Sequence, residues 1–442
     1  MRSSAQSRER LAVTGVSWNK RISAVVERLG PRRTAAGGAR VLYPKPKFSD
    51  LPAAKSIQKY EGVGRMLGIE TPFFRSIEGA SGSTTMIEGR LYLNFAWCDY
   101  LGLNRSPQLW EAAKAAIDRY GTCVSASRMV AGETPLHREL ETEIADFIGV
   151  EDAILFVSGH AANVSTIGTL MSEGDLIVHD EFVHNSAVIG IRLSRATARS
   201  FHHNDLDDLE AILREHRAAY RNVLVIVEGL YSTEGDLPDL ARVVEIKDRY
   251  GAWLMVDDAH GLGVLGKTGR GIAEHCGVDP RKVDIWMGTL SKTLASCGGY
   301  IAGERTLIDI LKHTAPGFVF SVGLLPMMTA AALAGLRLIR AEPERVARLH
   351  ANGELFLRAA RAAGLDTGNS GGYGMLPVIA GNVIRSIQLW HRVFARGLNP
   401  SLIVYPGVPM KAGRLRFFLT SEHTSEEIER AITVTKEELA QC

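Results

Sequence analysis

The sequence predicts an α/β protein built on a mostly parallel central sheet, with a smaller α+β C-terminal domain. Three observations carry that expectation. Short apolar runs recur from Gly89 onward, at Ala153–Val157, Asn222–Val227, Trp253–Val256 and Asp284–Met287. Between them lie segments with the apolar spacing of helices, including Leu206–Tyr220 and Leu240–Tyr250. After Pro326 an Ala- and Leu-rich helical pattern runs to about Ala341, and strands follow near Tyr373–Ile384 and Arg414–Leu419. The expected division is a basic extension over 1–47, an N-terminal segment over 48–102, a large domain over 103–330 and a small domain over 331–442.

Taken in order, the first 47 residues carry eleven Lys or Arg against Glu9 and Glu27, and contain Gly30-Pro-Arg-Arg-Thr-Ala-Ala-Gly-Gly38. Ile22, Val25, Val26 and Leu29 have the spacing of one helix face, so a short helix is expected there, packed on the body. The whole chain of 442 residues is 46% hydrophobic and 23% charged with a net charge of +2, values of a folded globular protein. That balance, with no basic block interleaved with aromatics, argues against a nucleic-acid-binding surface. No uncharged apolar run is long enough to span a bilayer, and the start lacks a secretory leader's apolar stretch. The five cysteines, at 98, 123, 276, 297 and 442, show neither paired spacing nor metal-ligand spacing. A cytoplasmic protein with reduced thiols and no metal site is expected.

Gly261-Leu-Gly-Val-Leu-Gly-Lys-Thr268 satisfies two nucleotide-binding patterns at once. Either pattern needs its glycines to form the turn between a strand and a long helix, whose free N–H groups hold phosphate. Here Asp257-Asp-Ala-His260 separates strand from glycines, and Gly269-Arg-Gly271 follows where a helix should run. A phosphate loop is therefore not expected.

The stronger signal lies at the carboxyl ends of successive expected strands, where open α/β sheets bind ligands. Ser158-Gly-His-Ala-Ala-Asn163 follows one strand and opens a helix whose first amides suit a phosphate. Glu228-Gly-Leu-Tyr-Ser-Thr-Glu-Gly-Asp236 follows the next, then Asp257-Asp-Ala-His260, then Gly288-Thr-Leu-Ser-Lys-Thr293. Singly, Asp257 reads as a helix cap and Lys292 as a surface charge. Together, an acid, a lysine and a phosphate cradle are what pyridoxal phosphate requires: an amine for its aldehyde, a carboxylate for its ring nitrogen and fixed donors for its phosphate. Asp257 and Lys292 stand 35 positions apart, room for a crossover and a return strand.

These segments resemble the α-oxoamine synthase family of fold-type I pyridoxal phosphate enzymes. The resemblance covers about Tyr92 to the C-terminus and rests on Asp99-Tyr-Leu-Gly-Leu103, Gly132 with His137-Arg-Glu-Leu-Glu141, Ser158–Asn163, Glu228–Ser232, Val256–Gly261, Thr289-Leu-Ser-Lys292, and Arg416 seven residues before His423-Thr424. It implies that Lys292 forms the Schiff base and later removes the substrate's Cα proton, and that Asp257 partners the pyridine nitrogen. It further implies that His184 stacks on one ring face with Ala259 on the other, and that His260 bonds the phenolic oxygen with Ser232 near the same edge. The Gly159 and His160 amides and the Thr289 hydroxyl would hold the phosphate, and Arg416 the amino acid carboxylate. The implied reaction is the decarboxylative condensation of a small α-amino acid with an acyl thioester, giving an α-aminoketone.

Three departures stand against the family pattern. The glycine-rich run is here Tyr120-Gly-Thr-Cys-Val-Ser-Ala-Ser-Arg128, Cys98 stands where an asparagine helps hold the substrate carboxylate, and Val322 follows Ser321 at a position often hydroxylated. A homodimer with shared active sites is implied. The altered run and the basic extension point to a carrier-protein thioester in place of coenzyme A as the acyl donor, because basic residues attract an acidic carrier. The alternative is another fold-type I enzyme, an aminotransferase or lyase, which would share Lys292 and Asp257.

Overall fold

The computed structural model describes residues 45–66, 68, 71–80, 82–405 and 407–442. The stretch Ile22–Leu29 lies outside them. Two compact units are distinguished, 1–63 and 64–442. In the first, the described chain forms a 3-10 turn at Phe48–Asp50 and enters the helix Pro52–Met66. The second holds both sheets.

In chain order the strands are β1 (Ile77–Glu78), β2 (Thr84–Ile87), β3 (Arg90–Phe95), β4 (Asp152–Phe156), β5 (Leu176–Asp180), β6 (Thr197–Phe201), β7 (Val223–Glu228), β8 (Trp253–Asp257), β9 (Ile285–Thr289), β10 (Gly299–Gly303), β11 (Met375–Gly381), β12 (Leu398–Ile403) and β13 (Gly413–Phe418). Strands β4 to β10 form a seven-stranded sheet in the order β4-β10-β9-β8-β7-β5-β6. Every neighbouring pair in it is parallel except the two made by β10. Strand β7, Val-Leu-Val-Ile-Val-Glu, is buried at every position, as a strand covered on both faces must be. Its alternate residues feed two separate cores: Leu224 and Ile226 join Ile177, Met255 and Met287 on one face, while Val223, Val225 and Val227 join Val178, Leu254 and Val256 on the other.

The second sheet runs β1-β2-β3-β12-β13-β11. It is antiparallel except where β3 and β12 pair in parallel, Leu93 beside Leu398. Three of its strands precede the large sheet in sequence and three follow it, so this layer is assembled from both ends of the described chain.

The four apolar runs read as strands are β4, β7, β8 and β9, and the helices Leu240–Tyr250 and Pro326–Ala341 match their patterns. Leu206–Tyr220 is instead a helix to His216 followed by a 3-10 turn at Arg217–Ala219. The strand expected over Tyr373–Ile384 ends at Gly381, because the Asn382 side chain accepts the Arg385 amide and starts the helix Val383–Ala395. Among the described residues no helix is long and apolar enough to cross a membrane.

The glycine stretch at 261–268 forms turns, and only the five-residue helix Ile272–Cys276 follows. Its anion is supplied internally. The Glu274 carboxylate accepts the Thr268 amide at 3.0 Å, the Thr268 hydroxyl at 2.9 Å and the Arg270 amide at 3.0 Å.

Candidate active site

Parallel pairing lines up the carboxyl ends of β7, β8 and β9. Glu228 ends β7 directly beside Asp257, which ends β8 and faces Met287 of β9 across the next ladder. Asp257 is buried. Its Oδ2 accepts a hydrogen bond from Asn163 Nδ2 at 2.8 Å and its Oδ1 one from the Ala259 amide at 3.2 Å. Both carboxylate oxygens thus serve as acceptors. Lys292 lies in the turn after β9, half-buried, and its ammonium has no hydrogen bond or ion pair among the described residues. Burial lowers its pKa, against the opposing pull of Cys98, Asp257 and Glu228, while Arg416 adds to the lowering.

The phosphate end forms where β4 turns into the helix Gly159–Leu170. The Ser158 hydroxyl takes the Ala161 amide at 3.0 Å and its carbonyl takes that of Ala162, so the amides of Gly159 and His160 remain for a ligand. Thr289 Oγ1 stands 3.2 Å from where a Gly159 side chain would begin. That hydroxyl bonds the Gly298 carbonyl at 3.0 Å and lies 2.8 Å from Ser291 Oγ. Gly299 makes the approach possible: a Cβ there would lie 2.5 Å from Gly159 Cα. The His160 side chain is exposed.

His184 caps the helix Asn185–Ser194, its Nδ1 accepting the Ser186 amide at 3.3 Å. Burial lowers its pKa, which Asp257 partly offsets. His260 is buried with Nδ1 2.7 Å from the Tyr100 hydroxyl, and burial pushes its pKa well below the usual imidazole value. Both rings are therefore neutral near pH 7. Ser232 contributes backbone: its carbonyl accepts Arg416 Nη1 at 3.0 Å and its amide bonds Glu228 at 3.3 Å, while no partner is placed on its hydroxyl.

Arg414 and Arg416 share one face of β13 but differ in their partners. Arg414 Nη1 bonds Glu234 Oε1 at 2.6 Å and the Thr233 carbonyl at 3.0 Å, so its charge is neutralised within the chain. Among the described residues Arg416 hydrogen-bonds the Ser232 carbonyl and, at 3.2 Å, Ser401 Oγ; its buried Nε has no partner and it forms no ion pair. A half-buried guanidinium without an ion-pair partner is suited to a ligand carboxylate. Cys98, with Lys292 and Arg416 close enough to pull its pKa down, has that pKa raised overall by burial. The thiol is thus neutral beside two cations.

Three residues of the quoted motifs were given no role of their own by the sequence. Asn163 lies one turn beyond Gly159 on the same helix face, a spacing that could have flagged it. Glu228 holds on β7 the place that Asp257 holds on β8; its Oε1 is buried without a partner, and burial first, then Asp257, raise its pKa to about 8. Tyr100 carries no local signal, because its partner His260 is 160 positions away.

Residues 91–434 match the family described as aminotransferase class I and II. The chain is 37% identical over 376 residues to the 8-amino-7-oxononanoate synthase of Symbiobacterium thermophilum, covering 85% of this chain and 95% of that one. It is 40% identical over 360 residues to the enzyme of the same name from Thermosipho melanesiensis, covering 81% and 91%. Among solved structures, the serine palmitoyltransferase of Sphingomonas wittichii superposes with a TM-score of 0.85 at 28% identity, over 89% of this chain and 98% of that one. The chain belongs to the aminotransferase class I and II family, within its α-oxoamine synthases.

Proposed function

We propose that this protein is a pyridoxal phosphate-dependent C-acyltransferase that joins a small α-amino acid to an acyl thioester. A carbon–carbon bond forms between the amino acid Cα and the acyl carbonyl, carbon dioxide and free thiol leave, and an α-aminoketone results. The observation that carries this is the pair of half-buried basic side chains, Lys292 and Arg416, which form no ion pair among the described residues and lie close enough to interact electrostatically. The donor set fits the cofactor at each end: open amides at Gly159 and His160 with the Thr289 hydroxyl for a phosphate, Asp257 for a ring nitrogen, His260 and Ser232 for a phenolic oxygen, Lys292 for an aldehyde. Bound there, pyridoxal phosphate supplies an electron sink for the Cα lone pair.

The chain's own residues do the rest. Arg416 takes the amino acid carboxylate, which fixes the bond at Cα that is activated. Lys292, its pKa lowered, is an amine able to accept the Cα proton at Nζ. Asp257 would accept a hydrogen bond from a protonated ring nitrogen and so favour that form of the ring. His184 and Ala259 would cover the bound ring and exclude water from it. Cys98 leaves the carboxylate subsite to Arg416, so substrate choice differs from that of an asparagine-bearing site.

Two segments meet where Ser127 Oγ bonds the carbonyl of Val319, the last residue of the helix Pro316–Val319, at 2.8 Å. Together they expose Met129, Val130, Phe320 and Val322. That apolar patch beside Ser321 supports a homodimer with shared active sites. All five cysteines are unpaired, which suits the reducing cytoplasm. The basic segment 1–47 suits an acidic carrier protein as acyl donor; salt-sensitive turnover that is lost on deleting it supports this, and equal turnover of both forms with acyl-coenzyme A counts against it.

The test is the absorption spectrum of the purified protein, in which a visible cofactor band is expected and should vanish in Lys292→Ala. The family match also favours an aminotransferase as the second reading. Products decide: carbon dioxide and thiol released together support the synthase, and a keto acid without thiol supports the aminotransferase.

A further inference from the structure

Asn163 sits at the centre of an uninterrupted hydrogen-bonded chain. Its Nδ2 lies 2.8 Å from Asp257 Oδ2 and 2.9 Å from Ser186 Oγ, and Ser186 Oγ lies 2.7 Å from His184 Nδ1. Asn163 and Ser186 are buried. The proton count fixes the direction of every bond. Asp257 only accepts, so the amide must present nitrogen to it; the reverse orientation would set a carbonyl oxygen against a carboxylate. With one amide hydrogen on Asp257, the other goes to Ser186 Oγ, whose own single proton is then free for His184 Nδ1. The Ser186 amide also donates to Nδ1. An Nδ1 that accepts twice carries no proton, so a neutral His184 must hold its proton on Nε2.

We propose that Asn163 is a positioning residue that couples the two groups gripping the cofactor ring: it orients the Asp257 carboxylate directly and, through Ser186, locks His184 in the Nε2–H tautomer and in one ring plane. This deepens the functional reading above and rests on it for the roles of Asp257 and His184. The consequence is that the in-plane and face contacts of the ring are set by one carboxamide, and neither can turn without breaking the other's bond. Asn163 Oδ1 is buried without a partner, which is a cost a merely space-filling residue would not carry.

The test uses the full-length protein with 15N-labelled histidine, His184→Gln identifying the signal. The wild type should show Nε2–H at His184 without added cofactor. Ser186→Ala, a mild change, should convert that signal to a mixture of tautomers. Asn163→Asp keeps the shape but replaces the donor with an acceptor facing Asp257. It should weaken pyridoxal phosphate binding, followed by fluorescence or visible absorption, at least about tenfold, as much as Asn163→Ala does. An Nδ1–H tautomer in the wild type, an unchanged His184 signal in Ser186→Ala, or wild-type cofactor affinity in Asn163→Asp would each overturn the proposal. A wild type with the expected tautomer that takes up no pyridoxal phosphate refutes the functional reading instead, since the tautomer is read on the chain alone.

Discussion

His203 is held between two acids. Its Nδ1 lies 3.1 Å from Asp180 and its Nε2 3.0 Å from Asp236, with only 12% of the side chain exposed. Burial lowers its pKa, but the two carboxylates outweigh that and bring it to about 10. Asp180 also accepts the Phe182 and Asn204 amides, so the clamp ties the loop carrying His184 to the turn carrying Ser232. The folded value lies above the unfolded value of about 6.5, so the stabilisation is complete below pH 6.5 and is lost as pH rises toward 10. A shift of this size corresponds to a ceiling of about 5 kcal/mol, and screening of a site still reached by solvent reduces it to about 2–3 kcal/mol. Unfolding entropy of about 2 cal/mol/K per residue gives roughly 0.9 kcal/mol/K here, so the midpoint should fall by about 3 °C. His203→Gln should therefore melt about 3 °C below wild type at pH 6 by differential scanning fluorimetry, with the gap closing by pH 10. A gap that is constant, or that widens with pH, would show that His203 is not charged in the folded protein.

Three other outcomes are expected. Glu228→Gln should match wild type below pH 4.5, gain on it steadily between pH 4.5 and 8, and be more stable by on the order of 1–3 kcal/mol above pH 8 by chemical denaturation, because the folded protein holds this buried carboxyl protonated where the unfolded chain ionises it; no gain at pH 9 would place its pKa elsewhere. Gly299→Ala drives a methyl into the Gly159 backbone, which cannot yield as a side chain would, and should lower stability by about 2–3 kcal/mol and weaken cofactor binding; a wild-type melting curve contradicts this. Arg416→Lys should raise KM for the amino acid about tenfold or more while leaving the visible cofactor band in place, since a point charge replaces a planar fork; an unchanged KM would assign the carboxylate to another group.

Much of this architecture could be read from local pattern. The strands β4, β7, β8 and β9 are apolar through their length because both faces are covered, and a run of buried residues is visible without coordinates. Strand β6, Thr-Ala-Arg-Ser-Phe, lies at the sheet edge and is exposed at three of five positions, so nothing apolar announced it. Strand β10 is bracketed by Gly299 and Gly303, which read as loop. At the site, residues at strand ends were legible because the fold class places ligands there: Asp257 and Thr289 end their strands and Lys292 follows β9 by three positions. What stayed hidden depends on pairing across distance. Tyr100 meets His260, Asn163 meets Asp257, and Arg416 differs from Arg414 only because Glu234 lies opposite one of them. Which of two arginines is already neutralised is a property of the folded surface and not of the strand that carries them.

The parallel pairing of β3 with β12 joins segments 305 positions apart. Tyr92, Leu93 and Phe95 are almost wholly covered in the finished protein, yet during synthesis they leave the ribosome long before their cover exists. The seven-stranded sheet can close as soon as residue 303 is made, because all its strands lie within 152–303. Cys98 and Tyr100 follow β3 immediately, and Arg416 sits on β13, so the subsite proposed for the amino acid is completed only once β13 has been made. A polypeptide arrested partway would own the floor for the vitamin but no wall for the reactant, with an unshielded greasy hairpin inviting chaperones or aggregation.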